Sequence, residues 1–221
     1  MKIFYDCKLI FRLIVFAAFF SFAFGGCQPE IVNLSDAKKR VKSYYESGKF
    51  DEEVNSIVEE AIDKLENMKL TERSAAIFDV DETALSNYEY TKKLGFGYTW
   101  QSWDNWVKSA KATAVPGIKK LYDYLISKKI KIIFLTGRTA EQCEATKTNL
   151  INAGYVKIDT LICRKTTEAK LNSFKFKQNK FNELKNRGYD IIACVGDQPA
   201  DVESGVCKIK ILLPNYLYKL D

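Results

Sequence analysis

Histidine is absent from this 221-residue sequence. Its absence excludes Ser-His-Asp triads, Cys-His nucleophile pairs, zinc sites built on imidazole and chemistry through a phosphorylated histidine. The six cysteines include no CxxC pair, which argues against a zinc site built on thiolates. Any catalysis must therefore come from carboxylates, lysines, hydroxyls, thiols or a bound hard metal ion.

The sequence also lacks internal repeats and low-complexity tracts. With 47% hydrophobic and 28% charged residues, it has the composition of one compact domain. The formal net charge is +6, of which the first 26 residues contribute +2. The lysines are scattered among acids and do not interleave with aromatic residues, so the surface is of mixed charge and we expect no nucleic-acid polymer as a partner.

Residues 1–26 have the pattern of an export signal. A short basic start is followed by the 12-residue apolar run LIVFAAFFSFAF, then by two glycines and Cys27. A helix needs about 20 apolar residues to cross a bilayer, so the run is too short to span one. The small residues before Cys27 resemble the lipobox of bacterial lipoprotein precursors, although Phe24 stands where leucine is usual. We predict cleavage and lipidation at Cys27, with an ordinary secreted protein or an uncleaved anchor or buried helix as alternatives.

Four cysteines follow Cys27, at positions 143, 163, 194 and 207. Export would permit disulfides among them, in any of three connectivities. Cys163 and Cys194 lie in apolar runs typical of strands, where we expect free buried thiols. The sequence leaves the pairing of Cys143, Cys163, Cys194 and Cys207 open.

The rest of the chain alternates between two kinds of apolar pattern. Residues 34–68 carry an apolar stripe at three- and four-residue steps, which predicts helix. Five short apolar runs follow, which predict strands at 75–80, 131–135, 160–163, 191–195 and 209–213. Amphipathic patterns between them predict helices, with Gly154 and Gly188 where two helices end. This alternation predicts an α/β fold, a parallel sheet covered by helices on both faces.

An aromatic-rich segment, about residues 85–115, separates the first two predicted strands. It contains the three tryptophans and four other aromatic residues: Trp100, Trp103, Trp106, Tyr88, Tyr90, Phe96 and Tyr98. We expect a small, mostly helical insert. The aromatic side chains either form its core or line a site and select an apolar or planar leaving group, with Tyr88, Trp100, Trp103 and Trp106 as the candidates.

Reactive side chains follow the ends of several predicted strands. AIFDVDETALSN places Asp79 and Asp81 after the first strand. Adjacent carboxylates repel each other unless a cation or a shared proton intervenes, so the pair favours a hard divalent ion such as Mg²⁺, with one carboxylate left as a nucleophile. KIIFLTGR ends another strand at Thr136, whose hydroxyl can donate to a phosphoryl oxygen together with the Gly137 amide. Arg138 either reaches the mouth of the site or has a surface or structural role.

Basic and acidic groups later in the chain complete this set. FKFKQNKF supplies Lys175, Lys177 and Lys180, and Asp197 and Asp201 follow the fourth strand. The carboxyl ends of parallel strands lie at one edge of a sheet, so we expect all these groups to converge. The combination predicts a metal-assisted phosphoryl-transfer site.

These motifs resemble, in the same order, the four motifs of the haloacid dehalogenase (HAD) superfamily. DxDxT stands at residues 79–83, the strand-end threonine at Thr136, a lysine at Lys177 and GDxxxD at residues 196–201. FDVDETALSNYEY, the WxxWVKSAKATAVPG segment, FLTGR and residues 188–198 are similar to the acid phosphatase branch, subfamily IIIB, which includes plant vegetative storage proteins and bacterial class C lipoprotein acid phosphatases. The resemblance covers residues 41–213, and Lys180 stands where many relatives have arginine.

The resemblance implies a domain organisation and a ligand set. A helical N-terminal extension at 27–70 would precede a Rossmann-like HAD phosphatase domain at 71–221, with a cap insert at about 85–115. Mg²⁺ would be held by the Asp79 carboxylate, by Asp197 and by the backbone carbonyl of Asp81. Asp201 would be a further ligand or would support the ligands from outside the coordination sphere.

The same resemblance implies catalytic roles. Asp79 would be the nucleophile that forms an aspartyl-phosphate, and Asp81 the general acid and base. Thr136 and Lys177 would neutralise the charge on the phosphoryl oxygens, with Lys175 as the alternative lysine.

We therefore predict an exported, Mg²⁺-dependent acid phosphatase that hydrolyses small phosphomonoesters, nucleoside monophosphates among them. A lipid anchor on Cys27 would attach it to a membrane, and the sequence makes no prediction of its oligomeric state. The alternative is a catalytically weak storage or binding surface lipoprotein of the same fold, against which the intact Asp79 argues. A dehalogenase is disfavoured because that chemistry dispenses with the second aspartate, present here as Asp81.

Overall fold

A five-stranded parallel sheet is the framework of the structure, a computed structural model that describes residues 31–220. The strands of the chain are β1 (Ser74–Phe78), β2 (Leu85–Ser86), β3 (Thr113–Ala114), β4 (Lys131–Thr139), β5 (Thr160–Arg164), β6 (Asp190–Gly196) and β7 (Ile209–Leu212). The sheet has the order β5-β4-β1-β6-β7, and each neighbouring pair is parallel. β2 and β3 form a separate antiparallel ribbon.

Eight α-helices accompany these strands in the described part of the chain. They are α1 (Leu34–Glu46), α2 (Lys49–Glu66), α3 (Tyr88–Lys93), α4 (Trp100–Ser109), α5 (Pro116–Ser127), α6 (Cys143–Asn152), α7 (Ser173–Asn186) and α8 (Pro199–Val202). None of the helices within residues 31–220 is both long and apolar enough to cross a membrane.

Local sequence explains where several of these helices begin and end. The Thr99 hydroxyl accepts from the Ser102 N–H at 3.2 Å and caps α4, and Pro116 occupies the first turn of α5. Gly154 and Gly188 follow the ends of α6 and α7 with φ angles of +94° and +83°. Such left-handed backbone favours glycine, which is why the two helices stop where the sequence predicts.

The sheet is buried on both faces. Ala76 and Phe78 of β1 belong to a core cluster shared with α2, α5 and α6, whereas Ala75 and Ile77 belong to a second cluster shared with α7. This alternation follows from the two-residue period of a strand. The prediction of a parallel α/β sheet with helices on both faces is confirmed. The helical pattern predicted for residues 34–68 is divided into α1 and α2 at Ser47 and Gly48.

Two disulfides correct the expectation of free thiols at Cys163 and Cys194. Cys163 pairs with Cys143, and Cys194 pairs with Cys207, with Cα separations of 5.9 and 5.8 Å. Both separations suit bridged cysteines. The apolar strand pattern around Cys163 and Cys194 indicates burial of each sulfur, but it contains no information on which residue lies opposite.

Between β1 and α5, the chain leaves the sheet and forms β2, α3, α4 and β3. These elements lie within the predicted insert at about 85–115. That the insert acts as a cap over the site remains a prediction. The predicted signal segment, residues 1–26, and the lipidation site Cys27 lie outside the described residues.

Candidate active site

A cavity of about 620 Å³ opens at the carboxyl ends of the strands. Asp79 after β1, Gly137 in β4, Lys177 of α7 and Asp197 after β6 all line it. The predicted convergence of strand-end residues is thus present in the geometry, as expected for ligand sites in parallel α/β sheets. We refer to this space as the cavity.

Asp79 and Lys177 form a buried ion pair in the cavity. Asp79 is 9% exposed, and the Lys177 Nζ lies 2.5 Å from its Oδ1. The same Nζ lies 2.8 Å from Asp201 Oδ1 and donates to the Leu135 carbonyl at 2.6 Å. Lys175 is exposed, so the structure places Lys177 rather than Lys175 at this position.

Burial and neighbouring charges shift the pKa values of both residues of this pair. Burial raises the pKa of Asp79 well above its usual range, and the neighbouring carboxylates of Asp201 and Asp197 add to the rise against the effect of Lys177. Burial opposes the charge of Lys177, but Asp201 and Asp79 outweigh it and raise the pKa of the lysine. Lys177 is therefore a permanent cation beside a carboxylate that is surrounded by other acids.

Three aspartates provide a donor set for a metal ion. Oxygen atoms of Asp79, Asp197 and Asp201 lie within 4.8 Å of one another, and all three residues are buried. Burial and the charge of Asp201 raise the pKa of Asp197 to about 6. Three carboxylates against the single ammonium of Lys177 leave an excess of negative charge that a divalent cation would balance. Oxygen-only donors of this kind suit a hard cation such as Mg²⁺, so the residues present fit the metal.

Hydrogen bonds hold Asp197 in place. Its Oδ1 accepts from the Thr83 hydroxyl at 3.2 Å, and its Oδ2 accepts from Gln198 Nε2 at 2.5 Å and Asn215 Nδ2 at 2.7 Å. The partners come from the loop after β1, from the residue that precedes α8 and from the C-terminal segment. Such supporting contacts fix the direction in which a ligand carboxylate points.

Gly196 makes room for Asp201. A Cβ atom added to Gly196 would lie 2.1 Å from the Asp201 Cβ, a distance that requires a shift of the structure. Asp201 Oδ2 in turn accepts from the Gln198 N–H at 3.0 Å, which ties the side chain of Asp201 to the start of α8. The glycine of the GDxxxD pattern is therefore a steric requirement of the turn between β6 and α8.

Arg138 holds the second aspartate of the DxD pair. Its Nη2 donates to Asp81 Oδ1 at 2.7 Å, and its Nε lies 3.1 Å from both carboxylate oxygens. Its Nη1 donates to the Thr146 hydroxyl at 3.2 Å, and its guanidinium lies 5.6 Å from the centre of the Trp103 ring. Arg138 is only 3% exposed. The sequence left its role open, and the structure makes it the buried partner of Asp81.

Asn87 is a second partner of Asp81. Its Nδ2 donates to Asp81 Oδ1 at 2.9 Å and to Glu82 Oε2 at 3.3 Å, while its Oδ1 accepts from Trp106 Nε1 at 2.7 Å. The indole N–H can only donate, so it fixes which end of the amide faces the acids. Trp106 therefore acts on Asp81 through the Asn87 side chain.

Glu82, which is buried, forms a hydrogen bond with the partly exposed Tyr218, a contact not expected from the sequence. Burial and the Asp81 charge raise the pKa of Glu82 to about 8, and the Tyr218 hydroxyl donates to its carboxylate. Leu217, Tyr218 and Leu220 line the cavity, so the C-terminal segment forms part of its wall. Glu82 could have been found as a third acid beside the DxD pair, but no local pattern marks Tyr218.

The aromatic candidates divide into two groups. Trp100 and Trp103 line the cavity. Tyr88 and Trp106, the other two candidates, do not line it, which leaves them the alternative role of packing within the insert. Tyr88 is buried against the Tyr45 ring, with 4.8 Å between the ring centres, and Trp106 is bonded to Asn87. Three other aromatic side chains of the insert line the cavity instead: Tyr90, Phe96 and Tyr98.

Thr136 lies directly beneath the cavity lining. It is fully buried, and its Oγ1 accepts from the Arg138 N–H at 3.1 Å, while Gly137 and Arg138 contribute to the lining itself. The hydroxyl proton of Thr136 is not used in that bond.

The sheet order and the acidic cluster at the carboxyl ends of the strands define a parallel α/β protein with a candidate metal site at the edge of its sheet. Within that class, the chain belongs to the HAD superfamily, subfamily IIIB (acid phosphatase), whose family model matches residues 28–221. The predicted family, and with it membership of an enzyme family, is confirmed.

Individual relatives agree with this assignment. The chain is 30% identical to the stem 28 kDa glycoprotein of Glycine max over 74% of its own length and 66% of that protein. It is 30% identical to acid phosphatase 1 of Solanum lycopersicum over 80% of its own length and 72% of that protein. The chain thus spans just under two thirds of the Glycine max relative.

A solved structure confirms the fold. The class C acid phosphatase of Bacillus anthracis, crystallised with tungstate bound, matches with a TM-score of 0.68 over 85% of this chain and 87% of that one, at 23% identity. At that identity the match is evidence for the shared architecture alone.

Proposed function

We propose that this protein is an exported, Mg²⁺-dependent acid phosphatase that hydrolyses small phosphomonoesters through a phosphoryl group on Asp79. The observation that carries this proposal is the buried contact of Asp79 with Lys177, beside Asp197 and Asp201, in a cavity of about 620 Å³. That volume suits a small molecule.

Asp79 is the nucleophile. A carboxylate oxygen attacks phosphorus, the oxygen–phosphorus bond of the enzyme forms and the bond to the leaving group breaks, which divides hydrolysis into two easier steps. Lys177 bonds to Asp79 Oδ1 at 2.5 Å and so orients the carboxylate. Its positive charge also offsets the negative charge of an approaching phosphoryl group.

Asp81 transfers protons. In the first step its carboxyl group donates a proton to the leaving-group oxygen, and in the second the resulting carboxylate accepts a proton from the water that attacks the aspartyl-phosphate. Arg138 and Asn87 hold this carboxyl group from two sides. Both proton transfers are thus assigned to one residue, which accords with a sequence that has no histidine.

The remaining groups bind the phosphoryl oxygens and the metal ion. The Thr136 hydroxyl and the Gly137 N–H would donate to phosphoryl oxygens at the end of β4. Asp79, Asp197, Asp201 and the Asp81 carbonyl would hold Mg²⁺, which when bound supplies charge neutralisation for the phosphoryl group.

The aromatic side chains that line the cavity favour a planar leaving group. Trp100 is 55% exposed at the cavity, and Trp103 packs on Tyr90 with 5.5 Å between ring centres. Aryl phosphates and nucleoside monophosphates present a flat apolar surface to such side chains. We expect both to be hydrolysed.

Export is supported by the two disulfides, because such bonds persist in oxidising compartments. We propose that the protein is cleaved and lipidated at Cys27. Mass spectrometry of the N-terminal peptide from membranes of a bacterial host should find a lipid on Cys27, and the Cys27→Ser protein should lose it. A full-length, unmodified N-terminus would contradict the proposal.

The central test is inorganic phosphate release from phenyl phosphate and a nucleoside monophosphate, from acidic to neutral pH, with Mg²⁺ or with EDTA. We expect release with Mg²⁺ only, and a loss of at least about a thousandfold in Asp79→Asn. Asp63→Asn, an exposed aspartate of α2, is the matched control and should retain full activity. A folded wild type that releases no more phosphate than Asp79→Asn would favour the storage or binding alternative.

A further inference from the structure

Arg164 lines the cavity from the end of β5. Its guanidinium lies 4.6 Å from the centre of the Phe176 ring, and its Nη1 donates to the Leu171 carbonyl at 3.3 Å. Its Nη2 would lie 3.9 Å from a Cβ added to Gly137. The side chain thus packs on Phe176 of α7 and is held by the Leu171 carbonyl before that helix, with Nη2 toward Gly137.

The Arg164 guanidinium has no acidic side chain in an ion pair with it among residues 31–220. Its Nε is buried without a hydrogen-bond partner. Glu168, the acid that acts on it electrostatically, lies 2.6 Å from Lys180 and is neutralised there. Burial lowers the pKa of Arg164 because the charged form loses hydration. Arg164 is partly buried, and a partly dehydrated cation without an acid is stabilised when another anion compensates it.

The other cations of the cavity are already bound to acids. Arg138 is paired with Asp81, and Lys177 with Asp79 and Asp201. Among the described residues that line the cavity, Arg164 is therefore the cation left free for a ligand.

Arg164 ends a strand that is not adjacent to the strand that precedes the nucleophile, because β4 lies between β5 and β1. Parallel strands lie about 4.8 Å apart, so the sheet order places the backbone of β5 about 10 Å from that of β1, which ends before Asp79. The first turn of α7 lies on the same side of the cavity, through Asn172 and Ser173, and adds the partial positive charge of a helix start. Arg164 and the first turn of α7 thus add positive charge to the cavity beyond that of the two cations that are paired with acids.

We propose that Arg164 binds a second anionic group of the substrate, so that the preferred substrates are phosphomonoesters that also carry a carboxylate or a second phosphate. This inference rests on the proposed phosphatase function and names the substrate class for it. The planar guanidinium presents two parallel N–H groups, which match the two oxygens of a carboxylate or phosphate.

The test compares three substrates that share one leaving-group ring: phenyl phosphate, 3-carboxyphenyl phosphate and benzene-1,3-diyl bisphosphate. We expect the wild type to show a kcat/KM about tenfold higher for at least one of the two doubly anionic esters, the size of one charged hydrogen-bonded contact. The identity of that ester distinguishes a carboxylate from a phosphate. In Arg164→Gln the ratio to phenyl phosphate should fall to about one, and Arg164→Lys should retain part of it, because lysine keeps the charge without the planar pair of donors.

Arg187→Gln is the matched control, since Arg187 is exposed and lies at the far end of α7 from the cavity. It should keep the wild-type ratio. Equal kcat/KM values of the wild type for all three esters would overturn the inference and leave the phosphatase function intact. If no ester is hydrolysed, the function fails, and calorimetry decides the inference separately: 3-carboxyphenylphosphonate should bind about tenfold more tightly than phenylphosphonate, and equal affinities would refute it.

Discussion

Replacing Trp106 by phenylalanine removes one hydrogen bond and keeps most of the packing. The lost donor lies 2.7 Å from Asn87 Oδ1, and Asn87 is 1% exposed, so the acceptor would be left buried without a partner. An orphaned acceptor of this kind costs about 2 kcal/mol of unfolding free energy. The phenyl ring can still stack on Tyr90, whose ring centre lies 5.8 Å from that of Trp106.

The same substitution should slow catalysis. Without the indole N–H, the Asn87 amide loses the contact that fixes its oxygen, so its Nδ2 holds the Asp81 carboxylate less firmly and the proton-transferring group is less well positioned. We expect kcat to fall about tenfold, with a smaller change in KM because Trp106 does not line the cavity.

The assays are urea unfolding and steady-state phosphate release. A loss of about 2 kcal/mol corresponds to a fall of about 1 M in the urea midpoint. Trp100→Phe is the control for unfolding, because Trp100 is 55% exposed and its replacement should leave the midpoint within about 0.2 M. If Trp106→Phe matched the wild type in both the midpoint and kcat, the bond to Asn87 would have no part in holding Asp81.

Three further predictions concern the metal site, acid stability and the disulfides. Gly196→Ala should abolish Mg²⁺ binding, measured by calorimetry, because the added Cβ meets the Asp201 Cβ at 2.1 Å. Burial, the largest single influence on Glu168, would raise its pKa, but the hydrogen bonds from Lys180 and the Lys165 N–H, together with the charges of both lysines, lower the pKa from 4.5. The stability that the Glu168 charge contributes is therefore complete above pH 4.5 and lost as the pH falls. Glu168→Gln should therefore be less stable than the wild type at neutral pH, and the difference in thermal midpoint should shrink in acid. Reduction of the two disulfides, which join residues 20 and 13 positions apart, should cost about 3 kcal/mol each in urea unfolding.

Each of these predictions has a contrary outcome. Normal Mg²⁺ affinity in Gly196→Ala would show that the turn tolerates a side chain. A constant or growing difference between Glu168→Gln and the wild type in acid would mean that the bond to Lys180 does not lower the pKa. An unfolding midpoint that is insensitive to reductant would show that the disulfides do not constrain the unfolded chain.

The sheet and the strand-end acids could be predicted because their signals are local. Each strand of the sheet is a run of apolar residues, and Asp79 or Asp197 comes directly after such a run. Parallel topology then brings the acids together without further information. For the lysine, the family resemblance implied Lys177 with Lys175 as the alternative, and it is the structure that brings Lys177 to Asp79 and leaves Lys175 exposed.

The contacts around Asp81 could not be predicted, because they join distant parts of the chain. Tyr218 bonds to Glu82 across 136 positions, and Arg138 to Asp81 across 57. An aromatic residue in the insert can face either the cavity or the core, and the spacing of Tyr88 and Trp106 does not distinguish the two. The sequence pattern likewise gives no indication of the disulfide partners, since pairing depends on which strands and helices become neighbours in space.

The most direct test of the account is to trap the phosphoryl group on the protein. After brief mixing with phenyl phosphate and Mg²⁺ and quenching in acid, peptide mass spectrometry should find one phosphoryl group on Asp79, and none in the Asp79→Asn protein. Rapid phosphate release from a wild type that never carries the group on Asp79, or undiminished release from Asp79→Asn, would contradict the central claim.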